Sequence, residues 1–507
     1  MSEAPKRAGG RAARKAARAA GPEQHPAPPG QPGGQYRPLR TSEADRIVAT
    51  AFELLERLGM GEVPDGLAAQ LMRAGCIMLP NGRVSIPPAV VERAIADAPK
   101  RFTLHGRDPA RSIEVGGDAV HFGTGGAAVE VLDVDTGLYR AASLRDLHDF
   151  TRLQDGLDHV SWFTRCCIAT DMADEWLLDL NTAYALMAHT TKPVATAFTL
   201  AEHVAPLVEL FRMAGDFDAR PFVKAHISPV ISPMRFGADA VAVTEACIAH
   251  NIPLSCITAA QAGATAPATL AGFLAQSLAE TLASLVMVQV IRPGHPMVFS
   301  NWPLVIDLRT GAFTGGGGET ALLNAASAQV INHLGLPSGV AACMTDAKAI
   351  DAQYGVEKAM TATAAALGGG NLIYESAGMT ASLLGASFEA FVLDAEMHAQ
   401  IMRMLRGVEV TDAALDIDAI TEAVLGEGHF LGGAQTIAAM ERDYVYPALA
   451  DRASPASWAE DGARTAWDRA REDVRARLAE PERAYLDASQ MAQMAERFGS
   501  SLIQKPE

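Results

Sequence analysis

From about residue 119 to residue 405 the chain repeats one pattern: an apolar run ending in polar residues, then a stretch of helical length. Eight such units can be counted, with apolar runs at Ala119–Phe122, His159–Ile168, Pro193–Thr199, Phe222–Ser228, Pro253–Ala259, Met297–Trp302, Ser338–Met344 and Leu372–Glu375. Near-continuous apolar strands alternating with helices are what a parallel sheet covered on its faces requires, since parallel neighbours need a crossover that is usually a helix. Eight consecutive units predict an α/β fold of the (β/α)8 TIM-barrel class, with a doubly wound open sheet as the competing arrangement. In such a barrel the chemistry sits where the strands end, and that fixes which residues matter.

The flanks have different compositions. Residues 1–35 carry Lys6, Arg7, Arg11, Arg14, Lys15 and Arg18 among alanines, then a Pro/Gly/Gln run. That composition cannot bury a core and predicts a disordered basic tail, or more sharply a short basic helix that docks on an acidic partner. Residues 36–116 predict an N-terminal helical cap, in which Thr41 or Ser42 caps a helix with Ile47, Ala51, Leu54, Leu55 and Leu58 at helical spacing. The barrel is assigned to 117–407 and a C-terminal helical extension to 408–507, including one charged helix over Pro455–Glu480.

A formal net charge of −17 argues against general nucleic-acid binding. The six cysteines form no C-x-x-C pair and read as reduced core thiols of a cytoplasmic protein. The longest apolar stretch, around Leu278–Ile291, contains Glu280, Thr281, Ser284 and Gln289, so a buried helix is expected rather than a membrane span.

At the predicted strand ends two groups of residues carry chemistry. Aromatics cluster there: Phe122, Phe163, Phe198, Phe299, Trp302, Tyr354 and Tyr374. An aromatic wall holds a quaternary ammonium by cation–π attraction of about 0.5–2 kcal/mol per ring; the bland alternative is core packing. Charged residues follow the sixth and seventh strands closely, namely Asp307, Arg309, Asp346, Lys348, Asp351 and Glu357. They serve either as cation-binding or proton-transfer groups or as ion pairs that pin the loops. Arg309 could clasp Asp307 or grip a substrate carboxylate with its two-pronged donor. Gly315–Gly318 lacks the Lys-Ser/Thr of a phosphate loop and reads as a loop that lets a large partner approach. Lys192 and Lys348 are Schiff-base candidates only if buried. His121, His189, His226 and His333 show no zinc-site spacing, so no metal is assigned.

Several stretches together resemble the trimethylamine methyltransferase family, in its form without pyrrolysine: HFGTGGAAVEVLD (121–133), AHTTKPVATAF (188–198), ISPVISPMRF (227–236), AQAGATAPATLAG (260–272), DLRTGAFTGGGGE (307–319), TDAKAIDAQYGVEK (345–358) and NLIYESAGM (371–379), with YRPLRTSEADRIVATAFELLERLGM (36–60) ahead of them. The resemblance implies a TIM barrel that moves a methyl group from an amine to Co(I) of a cobalamin held on a small corrinoid protein. Members that use trimethylamine carry pyrrolysine, whereas this chain has only the standard residues. The implied substrate is therefore a quaternary amine such as glycine betaine. On that reading Phe122, Phe198, Trp302 and Tyr354 hold the cationic head, and Arg309, His226 or Lys348 pairs with a carboxylate tail. Asp346 and Glu375 are the catalytic counter-charges. Gly123, Gly125, Gly315 and Gly316 face the corrinoid partner, which carries the cobalamin; this chain itself binds no cofactor. A homo-oligomer is compatible with this picture. The competing readings are a TIM-barrel lyase or aldolase working through Lys348 or a metal, and a non-catalytic betaine-binding subunit.

Overall fold

Eight short parallel strands form the centre of the computed structural model, which describes residues 25–504 apart from Ala127, and residue 506. They are β1 (His121–Phe122), β2 (Phe163–Thr164), β3 (Val194–Thr196), β4 (Val223–Ile227), β5 (Leu254–Thr258), β6 (Met297–Asn301), β7 (Ser338–Ala341) and β8 (Leu372–Tyr374). Each pairs with its neighbour in sequence from β2 to β8, and β8 pairs with β1. The ends meet as well: Gly123 bridges Trp162 in parallel, and the Ser161 N–H donates to the Phe122 carbonyl at 3.0 Å. The sheet is thereby closed, as the count of eight units predicts. The strands are shorter than the apolar runs because their polar ends leave the ladder.

A helix follows every strand: α1 (Leu144–Asp155), α2 (Glu175–His189), α3 (Ala201–Ala214), α4 (Ala238–Ala249), α5 (Leu270–Ile291), α6 (Gly318–His333), α7 (Ala352–Leu367) and α8 (Phe388–Arg406). Side-chain caps set several starts, with Ser143, Asp174, Asp351 and Ser387 each accepting from a first-turn N–H. Helix α5 is apolar on all sides and long enough to cross a membrane, yet it is mostly buried, packed between the barrel and the N-terminal helices Thr41–Arg57 and Pro88–Asp97. All six cysteines are buried and unpaired.

The N-terminal cap contains the expected helices and one element that the helical pattern misses. A hairpin of Arg101–Leu104 and Ile113–Gly116 drives Leu104 and Val115 into the N-terminal end of the barrel, against Ala195, Val298 and Leu372. Residues 25–35 also depart from the sequence reading, which made them part of a disordered tail. They run along the base of the barrel, where Gly30 and Gly33 donate to the carbonyls of Val120 and Asp118 at 2.9 and 2.8 Å, and Ala27 is fully buried. The glycine serves close approach here: a Cβ on Gly33 would lie 2.6 Å from the Ala366 carbonyl oxygen. The basic cluster Lys6–Arg18 lies outside the described residues.

Two small sheets stand over the C-terminal end of the barrel. One joins Gln261–Ala262, Leu304–Ile306 and Phe313–Thr314; the other joins Met379–Thr380, Gly385–Ser387, Glu130–Leu132 and Tyr139–Ala141. In the C-terminal extension, the single helix expected over 455–480 is two, Pro455–Glu460 and Ala466–Ala479, broken where Gly462 and Ala463 take φ of +90° and +52°. The second of these packs on α8 and α1, and Ala488–Phe498 packs on α3.

Candidate active site

Side chains alternate across a strand, so every second residue of a barrel strand points inward. In β4 these are Lys224 and His226. The Lys224 Nζ donates to Ser255 Oγ of β5 and to the Tyr374 hydroxyl of β8, both at 2.7 Å, and lies 3.1 Å from His226 Nε2. The rings of Trp162 and Tyr374 flank it, at 4.4 and 4.6 Å from their centroids. No carboxylate pairs with it among the described residues. Burial without a counter-charge pushes the Lys224 pKa well below its ordinary value, and burial followed by the charges of Lys224 and Arg165 does the same to His226. A neutral amine has two N–H donors and one lone pair, which these three neighbours can satisfy.

Above this floor stands Trp302, which follows β6. Its ring centroid is 5.2 Å from that of Tyr374, and its Nε1–H is buried without a hydrogen-bond partner. Glu375 follows β8 in the left-handed region, φ +59°. Its carboxyl is buried: Oε1 accepts from the Gly126 N–H at 3.4 Å and Oε2 has no partner. Burial, only partly offset by that N–H and by Lys358, raises its pKa to about 8, so the group is a neutral acid at pH 7. Arg165 follows β2, with a buried Nη1 that bonds nothing. One mouth thus carries an aromatic wall, a protonated carboxyl and an uncommitted guanidinium.

The residues singled out from sequence divide between this mouth and other places. His226, Trp302 and Glu375 are at the C-terminal end of the barrel. Phe198 is buried in the main apolar core, apart from the cluster of Trp162, Tyr374 and Trp302. Phe122, expected at the mouth, instead stacks on His398 of α8 at 4.0 Å, in the helix layer. Tyr354 is also away from the mouth: its hydroxyl donates to Asp394 at 2.7 Å, beside the Lys358–Asp394 ion pair between α7 and α8. Arg309 is 88% exposed and clasps Asp307 at 2.8 Å, the loop-clasp alternative rather than a substrate grip. Lys348 is exposed, with its Nζ on the Asp346 carbonyl at 2.7 Å. Asp346 accepts from the Gly315 N–H and the Ser382 hydroxyl, both at 2.8 Å, and so ties two loops together.

The four glycines expected to face a partner are buried against this chain. A Cβ on Gly123 would lie 2.1 Å from the Trp162 ring, on Gly125 1.4 Å from Glu375 Oε2, on Gly315 2.7 Å from Met344 Cβ and on Gly316 2.3 Å from Glu357 Cδ. Their smallness makes room for internal side chains. Lys192, also buried, is at the opposite end of the barrel. Its Nζ donates to the carbonyls of Gln154, Leu157 and Val160 at 2.8–2.9 Å, which is a structural role. The sequence reading passed over Lys224, Arg165, Trp162 and Ser255. A lysine in the middle of the apolar run FVKAHI, in phase with His226, is the signal that could have found the first.

The sequence model described as trimethylamine methyltransferase (MTTB) matches residues 7–498, nearly the whole chain. The chain belongs to the trimethylamine methyltransferase family. It is an enzyme of the methyltransferase class. Among its relatives, a glycine betaine methyltransferase of Desulfitobacterium hafniense (strain Y51) is 26% identical over 431 residues, covering 84% of this chain and 89% of that one. The trimethylamine methyltransferase of Methanosarcina barkeri is 29% identical over 443 residues, covering 85% and 88%. A trimethylamine methyltransferase of Desulfitobacterium hafniense (strain DSM 10664 / DCB-2) is 30% identical over 395 residues, covering 77% and 79%. Among solved structures, a dihydropteroate synthase from Coxiella burnetii matches 61% of this family member and 100% of its own chain, with 13% identity and a TM-score of 0.37. At that level the barrel assignment rests on the strand order of the protein itself.

Proposed function

We propose that this protein moves a methyl group from a quaternary amine, glycine betaine or a related betaine, to Co(I) of a cobalamin carried by a partner corrinoid protein. The reading is supported by family membership and carried by one observation: at the C-terminal end of the strands the Trp302 ring lies against Tyr374, which is followed directly by Glu375, a buried carboxyl whose pKa is raised to about 8. A Co(I) acceptor on the partner would supply the nucleophile and take the methyl group; on the donor, the C–N bond would break with its electron pair kept on nitrogen, so that a neutral tertiary amine leaves. The leaving group needs no proton, and no base is required.

What remains for this chain is positioning and exclusion of water. Trp302 presents the free aromatic face, since Trp162 and Tyr374 already flank the Lys224 amine. Glu375, while protonated, lines the site without a full negative charge. An anion there would stabilise the ground-state ammonium more than the transition state, in which the nitrogen charge is fading, and would slow transfer. Lys224, His226, Ser255 and Tyr374 form a hydrogen-bonded floor that keeps the rings in place. The partner approaches over the two small sheets above the barrel.

The test is formation of methyl-Co(III) from reduced cobalamin with a panel of methylated amines. Methylation by a betaine and not by trimethylamine supports the proposal; methylation by trimethylamine alone contradicts it. Lys224 also favours a second reading, a Schiff-base lyase, because a buried neutral amine inside a barrel is what imine chemistry requires. Lys348, the lysine first considered for that role, is exposed. Borohydride trapping of a carbonyl substrate on Lys224, read by peptide mass, decides this alternative.

A further inference from the structure

We infer that Arg165 is the residue that selects a donor bearing a carboxylate, by binding that carboxylate inside the barrel mouth. The inference rests on the proposed methyl transfer only for the identity of the donor; the anion site itself follows from charge and geometry.

Three basic side chains converge at the mouth, Arg165, Lys224 and His226, and none has an ion-pair partner among the described residues. Lys224 and His226 can escape the penalty by releasing a proton, and burial pushes both pKa values well down in that direction. Arginine cannot, since its guanidinium stays charged at any ordinary pH. The acidic group whose charge reaches Arg165 is Asp179, and its carboxylate is committed elsewhere. It accepts from the Thr199 N–H at 2.7 Å, the Thr199 hydroxyl at 2.8 Å and His203 Nδ1 at 2.8 Å. The Arg165 Nη1 is buried and bonds nothing. Arg165 is half-buried as a residue, and a buried guanidinium N–H with neither acceptor nor counter-ion is unfavourable unless an anion joins it.

The neighbouring groups fit a zwitterion. Trp302 Nε1–H is a second buried donor without a partner, and Glu375 Oε2 is likewise buried without a partner. A planar carboxylate suits the fork of a guanidinium, which can grip both oxygens. The trimethylammonium end then falls against Trp302 and the neutral carboxyl. This arrangement transfers the anion-binding role from Arg309 and Lys348, which face solvent, to a residue inside the barrel.

The test compares two donors that share the trimethylammonium head and differ in the tail, glycine betaine and choline, on wild type, Arg165→Met and Arg165→Lys. Binding is measured by calorimetry without any cobalamin, and methyl transfer with it. In Arg165→Met, betaine affinity and betaine kcat/KM should fall on the order of 100-fold, while choline changes by less than about threefold. Arg165→Lys keeps the charge but loses the fork, and should lie between the two. Equal losses for both donors, or no loss for betaine, overturns the inference. If Arg165→Met does not fold, the lysine variant decides: it must weaken betaine and spare choline. Betaine binding that depends on Arg165 in an enzyme that methylates no cobalamin sinks the methyl-transfer reading and leaves the anion site standing.

Discussion

The base of the barrel and its interior each bury a lysine, and the comparison separates structure from chemistry. At the N-terminal end Lys192 meets three backbone carbonyls, which match the three N–H groups of an ammonium. Burial still draws its pKa down to about 7, but every hydrogen has an acceptor. Inside the barrel Lys224 meets a serine, a tyrosine and a histidine, which can donate or accept, and two aromatic faces. Around it Arg165, Trp302 and Glu375 keep polar atoms that bond nothing. The base of the barrel satisfies its lysine with backbone carbonyls of this chain, whereas the unpartnered atoms of Arg165 and Glu375 belong to a guanidinium and a carboxyl, groups that an entering ligand can engage.

That contrast can be broken by substitution. Glu375→Gln should have the largest effect on stability. The folded-state pKa near 8 exceeds the unfolded value near 4.3, so the native protein holds the proton more tightly. Stability relative to a glutamine variant is fully present below about pH 4 and is lost as pH rises through 8, by on the order of 5 kcal/mol. Urea melts from pH 5 to 9 should therefore slope downward in wild type and flatten in the variant. The betaine KM should also lose any inflection near pH 8. Lys192→Met strands three buried carbonyls and should destabilise by about 3 kcal/mol while the folded enzyme keeps its kcat. Lys224→Met should do the opposite. Wild-type stability rises with pH up to the unfolded lysine value, because only the unfolded state binds that proton; the methionine variant should be more stable at neutral pH and less active. Trp302→Ala should weaken quaternary amines by about 1–2 kcal/mol, read as a tenfold rise in Kd. Arg309→Ala and Lys348→Ala, both on the exposed rim, should leave kcat/KM for betaine unchanged.

The fold was legible because its signal is repetition: eight apolar runs, each followed by a helix, require nothing but a count. The site was less legible because a strand end names a neighbourhood and not a direction. Phe122 and Gly123 are adjacent, yet the phenylalanine stacks on His398 outside the barrel while the glycine gives room to the Trp162 ring inside. Counting parity from His226 would have put Lys224 inward. Arg165 follows a strand of only two paired residues, and neither parity nor composition marks it. The loops misled in another way. Asp346, Lys348 and Arg309 are charged residues near strand ends, but their partners are loop backbone and each other's neighbours, which only three dimensions disclose. Glycine was read as an opening for a partner where it is the space occupied by Glu375 and Trp162.

The most direct test of the account is the absorbance change from Co(I) to methyl-Co(III), followed with the purified protein, a reduced corrinoid protein and separate methylated amines. The account predicts methylation with glycine betaine or another betaine, none with trimethylamine, and release of the corresponding tertiary amine in equal amount. Methylation by trimethylamine and by no quaternary amine, or no methylation by any donor on any corrinoid acceptor, contradicts it.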